Sequence, residues 1–211
     1  MKHVLIICFY LLFCQLAAAQ QVALRDLVTI NRPVGLFLHS YQALASDTSV
    51  KHGGYELLYK NKTLERGSYR QNNRVGVWQF YNLKNALEFT YDYNNGKVDK
   101  FVRPSDGDYD TPCFFLGSPL IPYLFMLSKL HYPEVEMENR SNQEVMLALR
   151  ISTEGRMTGV RLLKSARVGF DESVMKAASS IPNHWQWLPA RKDGAAVESD
   201  YLIKIVFEPV E

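Results

Sequence analysis

The side chains best suited to metal chemistry in this sequence are four histidines. They are His39, His52, His131 and His184. A structural or catalytic zinc site draws its ligands from His, Cys, Asp or Glu at short, characteristic spacings, such as two histidines four residues apart on a helix. These histidines have no such spacing. The sequence therefore predicts no metal and no small-molecule cofactor.

Residues for nucleophilic or acid–base catalysis are also poorly placed. The Gly-x-Ser-x-Gly motif of many hydrolases is absent, and Cys113 lies in an apolar run that disfavours a thiolate. Asp106 and Asp108 form a pair of carboxylates, but they lie in a Gly-containing polar stretch typical of a loop. An envelope hydrolase is the enzyme class to consider. We predict that the protein is not an enzyme.

Charge excludes a further class of function. The chain has 24 Lys and Arg against 22 Asp and Glu, for a formal net charge of +2, and the two signs are interspersed. A nucleic-acid-binding domain concentrates positive charge on one face or in one run. We therefore predict no nucleic-acid partner.

The first residues indicate export. Lys2 and His3 precede an apolar run, Val4–Leu16, that ends in three alanines at positions 17–19. This pattern is typical of a secretory signal peptide cleaved after an Ala-x-Ala site, so residues 1–19 are predicted to be removed and the protein to be periplasmic. The alternative is that this segment stays uncleaved as an inner-membrane anchor. A spanning helix needs about 20 apolar residues, more than the run contains.

Residues 20–100 have the pattern of repeated β-hairpins. Leu24–Ile30 and Gly35–Tyr41 are predicted to form a strand pair, with a turn at residues 31–33. Aromatic strands, polar turns and returning strands then follow at 55–69 and at 76–93. Asn-rich turns between alternating aromatic and polar residues predict an all-β array of hairpins.

The glycine and aromatic spacing in this region resembles MORN-like repeats. The matching residues are Gly67 and Tyr69, followed by Gly76, Trp78 and Tyr81. The resemblance implies a ribbon-like β surface and no particular chemistry. We expect the Tyr and Trp side chains to pack between neighbouring hairpins, and the alternative is an aromatic stripe that binds a ligand.

Residues 101–111 are polar and contain Pro and Gly, which predicts a linker before a second domain at 112–211. Strand periodicity occurs at 145–151, 157–164 and 201–207, and helical periodicity at 170–181. A short helix is also expected to end at Leu130. The predicted fold is α+β, with a three-stranded sheet packed on a helix.

The order of motifs in this second domain resembles the C-terminal domain of TonB-like proteins of the Bacteroidetes type. The matching residues are Pro112, Phe115, Gly117, Tyr132-Pro133, Gly155-Arg156, Phe170-Asp171, Trp187-Leu188-Pro189, Gly194 and the strand at 201–207. The resemblance implies that an extended segment of an envelope partner, such as an outer-membrane transporter, pairs with the last strand by β-strand addition.

The partner-binding residues that the resemblance implies form one continuous strand. They are Tyr201, Leu202, Ile203, Lys204, Ile205, Val206 and Phe207. Lys204 and Glu208 are the charges expected to protect this edge from unwanted pairing. A homodimer formed by strand pairing is a further possibility, and a complete TonB-type energy transducer is the alternative function.

Overall fold

In a computed structural model of the chain, the structure describes residues 26–102, 109–133 and 142–208. The predicted signal peptide and the pair Asp106 and Asp108 lie outside these residues. The chain divides into two compact units between Phe101 and Val102. Each unit is built around its own sheets.

The first unit is one antiparallel sheet in which seven strands follow each other in chain order. The strands are β1 (Leu27–Val34), β2 (Phe37–Leu44), β3 (Asp47–Tyr59), β4 (Lys62–Arg70), β5 (Asn73–Tyr81), β6 (Leu87–Asp92) and β7 (Lys97–Phe101). Several connections are tight turns that need positive φ. Lys60 and Asn61 join β3 to β4 with φ of 47° and 62°, and Gln71 and Asn72 join β4 to β5 with φ of 49° and 66°. The predicted succession of hairpins is therefore a single meander.

The predicted turn at residues 31–33 is wrong. Pro33 lies within β1, opposite Leu38 of β2, and the chain reverses after Val34, where Gly35 has a φ of 57°. Proline is tolerated because β1 is the edge strand, so its missing N–H is not needed for pairing on the outer side. Glycine adopts the left-handed conformation of the turn at low cost.

The buried face of this sheet is rich in aromatic rings, as expected from the sequence. Trp78 is fully buried, and its ring lies 5.3 Å from that of Tyr55 and 5.1 Å from that of Tyr69. The indole lies directly on Gly67, where an added Cβ would come within 2.2 Å of the ring. The glycine of the repeat pattern is thus required by ring packing. The prediction that Trp78 packs between strands is confirmed.

The second unit mixes strands with two helices among the described residues. In chain order they are β8 (Phe114–Phe115), α1 (Leu120–Lys129), β9 (Gln143–Ile151), β10 (Met157–Lys164), α2 (Val168–Ser179), β11 (Trp187–Leu188), β12 (Ala190–Lys192), β13 (Ala195–Val197) and β14 (Ser199–Phe207). The three long strands form an antiparallel sheet of order β10–β9–β14. The α+β class is confirmed, and the predicted strands and helix of the sheet region begin and end within two residues of the observed bounds.

The core of the second unit lies between α2 and one face of this sheet. Phe170 and Val174 of α2 are fully buried and belong to the same cluster as Leu147, Leu149 and Ile205 of the strands. Their spacing on α2 is one helical turn, so both side chains point to the sheet. Helix α2 thus covers one face and leaves the other face of the sheet free of any helix among the described residues.

Among the described residues, no helix has the length and hydrophobicity needed to span a membrane.

Candidate partner-binding edge

Strand β14 lies at one edge of the three-stranded sheet, with β9 as its neighbour. The pairing runs without interruption from Ser199, opposite Ile151, to Phe207, opposite Gln143. No proline or glycine occurs in the strand, and residues 201–207 are mostly β-branched or aromatic, which favours extended backbone. In a strand paired on one side, alternate N–H and C=O groups point away from the neighbour and are available for a further strand.

The side chains of β14 alternate between the core and the opposite face. Ile203, Ile205 and Phe207 are buried against α2, where the ring of Phe207 lies 4.6 Å from that of Phe170. Leu202 and Val206 point the other way and are 57% and 42% exposed. The edge is therefore anchored through one set of residues and presents the other set to solvent.

Tyr201 ties the start of the edge to the rest of the unit. Its ring is only partly exposed and packs against the core, and its hydroxyl donates to the carbonyl oxygen of Pro119 at 3.5 Å. All seven residues predicted from the resemblance thus lie on one edge strand. Ile203, Ile205 and Phe207 belong to the core. Leu202, Lys204 and Val206 are the outward-facing set.

Lys204 lies in a charge cluster that spans all three strands. Its Nζ is 2.5 Å from Oε2 of Glu144 on β9, and Nζ of Lys164 on β10 is 2.9 Å from the other oxygen of the same carboxylate. The hydrogen bonds from Lys204 and Lys164 lower the pKa of Glu144. Two lysines therefore share one carboxylate, and the cluster has one positive charge in excess. Glu208, the other predicted edge charge, is exposed.

A second cluster lies at the opposite end of the same face. Asp200 on β14 accepts from Nη2 of Arg161 on β10 at 2.5 Å, and its other oxygen is 3.2 Å from Nε of Arg150 on β9. Exposed pairs of this kind contribute about 0 to 1 kcal/mol each, so their effect is to orient side chains more than to stabilise the fold. Leu202 lies between the two clusters, opposite Ala148.

Strand β10 forms the other edge of the sheet, and it is irregular. Its pairing with β9 shifts register between Met157 and Gly159 and again between Leu162 and Lys164. Bulges of this kind disrupt the row of hydrogen-bonding groups and protect an edge from pairing. The two edges of the sheet therefore differ, and β14 is the regular one.

Cys113, the residue considered for nucleophilic catalysis, is largely buried. Burial raises the pKa of the Cys113 thiol to about 12, which suppresses the thiolate. No group of three or more His, Cys, Asp and Glu side chains suited to a metal is found in the described part of the chain.

Sequence reasoning missed Glu144, Asp200 and Arg161 as parts of this surface. Acidic and basic residues at alternate strand positions were the available signal, but their partners depend on the strand order, which the periodicity does not contain.

Comparison with known protein families and with curated proteins gave one match. The sequence model of the family described as Gram-negative bacterial TonB protein C-terminal matches residues 128–209. The match begins in the last turn of α1, later than the predicted start at Pro112, and extends over the three-stranded sheet, α2 and the whole of β14. No curated protein matched the chain. Residues 128–209 are therefore similar to the C-terminal domain of Gram-negative TonB proteins.

Proposed function

We propose that the protein is an exported, non-catalytic envelope protein whose second unit binds a partner by adding an extended segment of that partner beside β14. The observation that carries the proposal is the regular open edge of β14, nine residues long in the sheet of order β10–β9–β14. Backbone hydrogen bonds to such an edge provide affinity that does not depend strongly on the partner's side chains.

The difference between the two sheet edges supports this choice of strand. β10 has two register shifts, whereas β14 keeps one register along its whole length. An incoming strand can continue the ladder of a regular edge without local unpairing. The proposal is therefore specific to the β14 side of the sheet.

The outward-facing side chains indicate what a bound segment would meet on the open face of the sheet. Leu202 and Val206 are apolar and exposed, and Lys204 between them belongs to the positively charged cluster around Glu144. A strand paired with β14 presents every second side chain to this same face. The partner's side chains on this face would match Leu202, Lys204 and Val206 if they were apolar, acidic and apolar in turn.

The similarity of residues 128–209 to the TonB C-terminal domain supports an envelope partner, of which an outer-membrane transporter is the first candidate. The signal pattern at residues 1–19 supports export to the periplasm. For the MORN-like sheet of the first unit we propose no chemistry, only that it provides a second β surface in the same protein.

Site-specific photo-crosslinking tests strand addition. A photoreactive amino acid replaces Leu202, Lys204 or Val206 in the full chain, and crosslinked partner residues are identified by mass spectrometry. Because side chains on one face of a strand recur every second residue, the three positions should map to partner residues at steps of two along one short segment.

Leu163 provides the matched control, since it is an exposed leucine at the end of β10, on the other edge of the same sheet. We expect few or no adducts from this position. Adducts from position 163 as strong as those from 202, or partner residues scattered without a two-residue step, would contradict strand addition to β14.

A further inference from the structure

The aromatic face of the first sheet holds a lysine that has no carboxylate partner among the described residues. Nζ of Lys51 on β3 lies 5.3, 5.7 and 5.0 Å from the ring centres of Tyr41, Tyr55 and Tyr69. The backbone N–H of Lys51 donates to Oδ1 of Asn72 at 2.8 Å, and the N–H of Asn72 donates to the carbonyl of Lys51 at 2.9 Å. The backbone of Lys51 is therefore held by Asn72 of the β4–β5 turn, and its ammonium group lies over three rings.

Arg74 lies beside this lysine on the same aromatic surface. Its guanidinium is 4.1 Å from the ring centre of Trp78, and Nη2 is 2.9 Å from Oε2 of Glu65. Nη1 donates to the hydroxyl of Tyr93 at 2.8 Å, and Nε donates to the hydroxyl of Tyr69 at 3.5 Å. Tyr69 thus contacts both cations, Lys51 through its ring and Arg74 through its oxygen.

The cluster has more positive than negative charge. Burial, and then the charges of Arg74 and Arg32, lower the pKa of Lys51. Glu65 is paired with Arg74, so its charge is already matched by that guanidinium. The ammonium of Lys51 is therefore the excess positive charge of this cluster, and Arg32 adds to the positive potential around it.

The cluster also has more hydrogen-bond donors than acceptors. The hydroxyls of Tyr69 and Tyr93 accept from Arg74, so the proton of each hydroxyl remains available to donate. The ammonium of Lys51 carries three N–H groups, and its neighbours Tyr41, Tyr55 and Tyr69 offer it ring faces. No acceptor for these O–H and N–H groups is found among the residues that the structure describes.

We infer that this cluster is a binding site for an oxyanion of the phosphate type, held by the ammonium of Lys51 and the hydroxyls of Tyr69 and Tyr93. A phosphate monoester carries about −1.5 to −2 charges near pH 7, opposite in sign to the excess charge of the cluster, and its oxygens accept several hydrogen bonds at once.

Exposure of the paired residues gives the direction of approach. The side chain of Arg74 is 26% exposed, whereas that of Glu65 is 2% exposed. The carboxylate of Glu65 therefore lies deeper than the guanidinium of Arg74, which is nearer to solvent. An anion can reach Lys51 and Arg74 without displacing Glu65.

Titration of the full chain with inorganic phosphate tests the site. Phosphate is added at constant ionic strength against chloride, and the indole N–H signals of Trp78 and Trp187 are followed by NMR. We expect the Trp78 signal to shift with a Kd of about 1 mM or tighter, while that of Trp187 in the other unit stays in place. No saturable shift of the Trp78 signal would overturn the inference.

Substitutions separate this site from general salt effects, since phosphate also stabilises proteins without binding to a site. Lys51→Gln should weaken phosphate binding by about tenfold or more, and Lys100→Gln, an exposed lysine of β7 in the same sheet, should leave it unchanged. Equal affinities in these two variants would overturn the inference.

The hydroxyl of Tyr93 is tested in the same way. Tyr93→Phe removes one O–H donor and keeps the ring, so binding should weaken by several-fold. Tyr91→Phe is the matched control, because the ring of Tyr91 lies 4.9 Å from that of Tyr93 and its hydroxyl has no bond to Arg74. Unchanged phosphate affinity in Tyr93→Phe would show that the hydroxyl of Tyr93 does not bind the anion.

Discussion

The two units bury a tryptophan in different surroundings. Trp78 of the first sheet is enclosed by tyrosines and by the guanidinium of Arg74, with buried Glu65 beside it. Trp187 of the second unit is buried against Phe115, in a core of aliphatic and aromatic side chains covered by α2. Residues 26–102 contain strands and turns alone, and Arg74 binds Glu65, Tyr69 and Tyr93 beside the indole. The comparison shows that the first unit buries an ion pair among its aromatic rings, whereas the tryptophan of the second unit packs among apolar side chains.

The largest effect is expected from Gly155→Ala in the second unit. Gly155 has a φ of 73°, and an added Cβ would lie 2.1 Å from the carbonyl oxygen of Trp187. Because the obstacle is backbone, we expect the free energy of unfolding of this unit to fall by more than about 3 kcal/mol. Denaturant unfolding followed through the separate indole signals of Trp187 and Trp78 measures it, with the Trp78 transition unchanged.

Gly194→Ala is the matched control for Gly155→Ala. Gly194 has a similar φ of 75° and nothing within 4 Å of an added Cβ, so the cost should be about 1 to 2 kcal/mol. A loss in Gly155→Ala no larger than this would contradict the packing of Gly155 on Trp187. A parallel loss of the Trp78 transition would show that the effect of the substitution is not confined to the second unit.

The next largest effect is expected in the first unit from Arg74→Met. This change leaves the carboxylate of Glu65, which is 2% exposed, without its cation. Removal of one member of a fully buried ion pair typically costs about 3 to 5 kcal/mol. Because the side chain of Arg74 is 26% exposed, we expect a loss at the lower end of this range, about 3 kcal/mol. Denaturant unfolding measures the loss, and the double variant Glu65→Leu with Arg74→Met should recover much of it.

An exposed pair in the same sheet provides the control for Arg74→Met. Arg66 and Glu56 are paired at 2.5 Å, with side chains 56% and 35% exposed. Arg66→Met should cost at most about 1 kcal/mol. Equal losses in the two methionine variants would show that burial of the charge does not matter for this sheet.

The smallest effect is a dependence on pH that belongs to the first unit. Burial, and then the charges of Lys51 and Arg32, lower the pKa of His39 from its usual 6.5, and its Nδ1 is 2.9 Å from the hydroxyl of Tyr55. Below pH 6.5 the unfolded chain therefore binds more protons at this residue than the native protein, so stability decreases as the pH falls from 6.5 to the native pKa. It does not decrease further below that value.

Urea unfolding at pH 7.5 and at successively lower pH measures the effect through the Trp78 signal. His39→Gln should remove part of the dependence in the first unit and leave the Trp187 transition as it was. An unchanged pH dependence in the variant would show that His39 has no lowered pKa in the native protein.

Local pattern was sufficient for most elements. A polar turn within residues 55–69 and helical periodicity at 170–181 were both predicted, because each depends on residues close together in the chain. The structure has this turn at Lys60 and Asn61 and the helix as α2. The pair β8 and β11 was not predicted as strands, because Phe114–Phe115 and Trp187–Leu188 are each two residues long. A periodicity cannot be read from two residues.

The burial of Glu65 is a second feature that local sequence patterns did not predict. Alternation along β4 would place Leu64 and Glu65 on opposite faces, but a register shift opposite Leu57 and Leu58 interrupts the pattern. Leu64 and Glu65 are both buried as a result. The ion pair with Arg74, and with it the proposed anion site, therefore could not be read from the sequence.

Composition and short-range periodicity were enough to establish the α+β class, the succession of strands and the alternation of Tyr201 to Phe207, because these depend on the backbone preferences and spacing of neighbouring residues. The sheet order, the contrast between the β14 and β10 edges and the sharing of Glu144 by Lys164 and Lys204 were visible only in the folded chain. These features depend on contacts between residues far apart in the sequence, and local periodicity carries no information about which distant strands become neighbours.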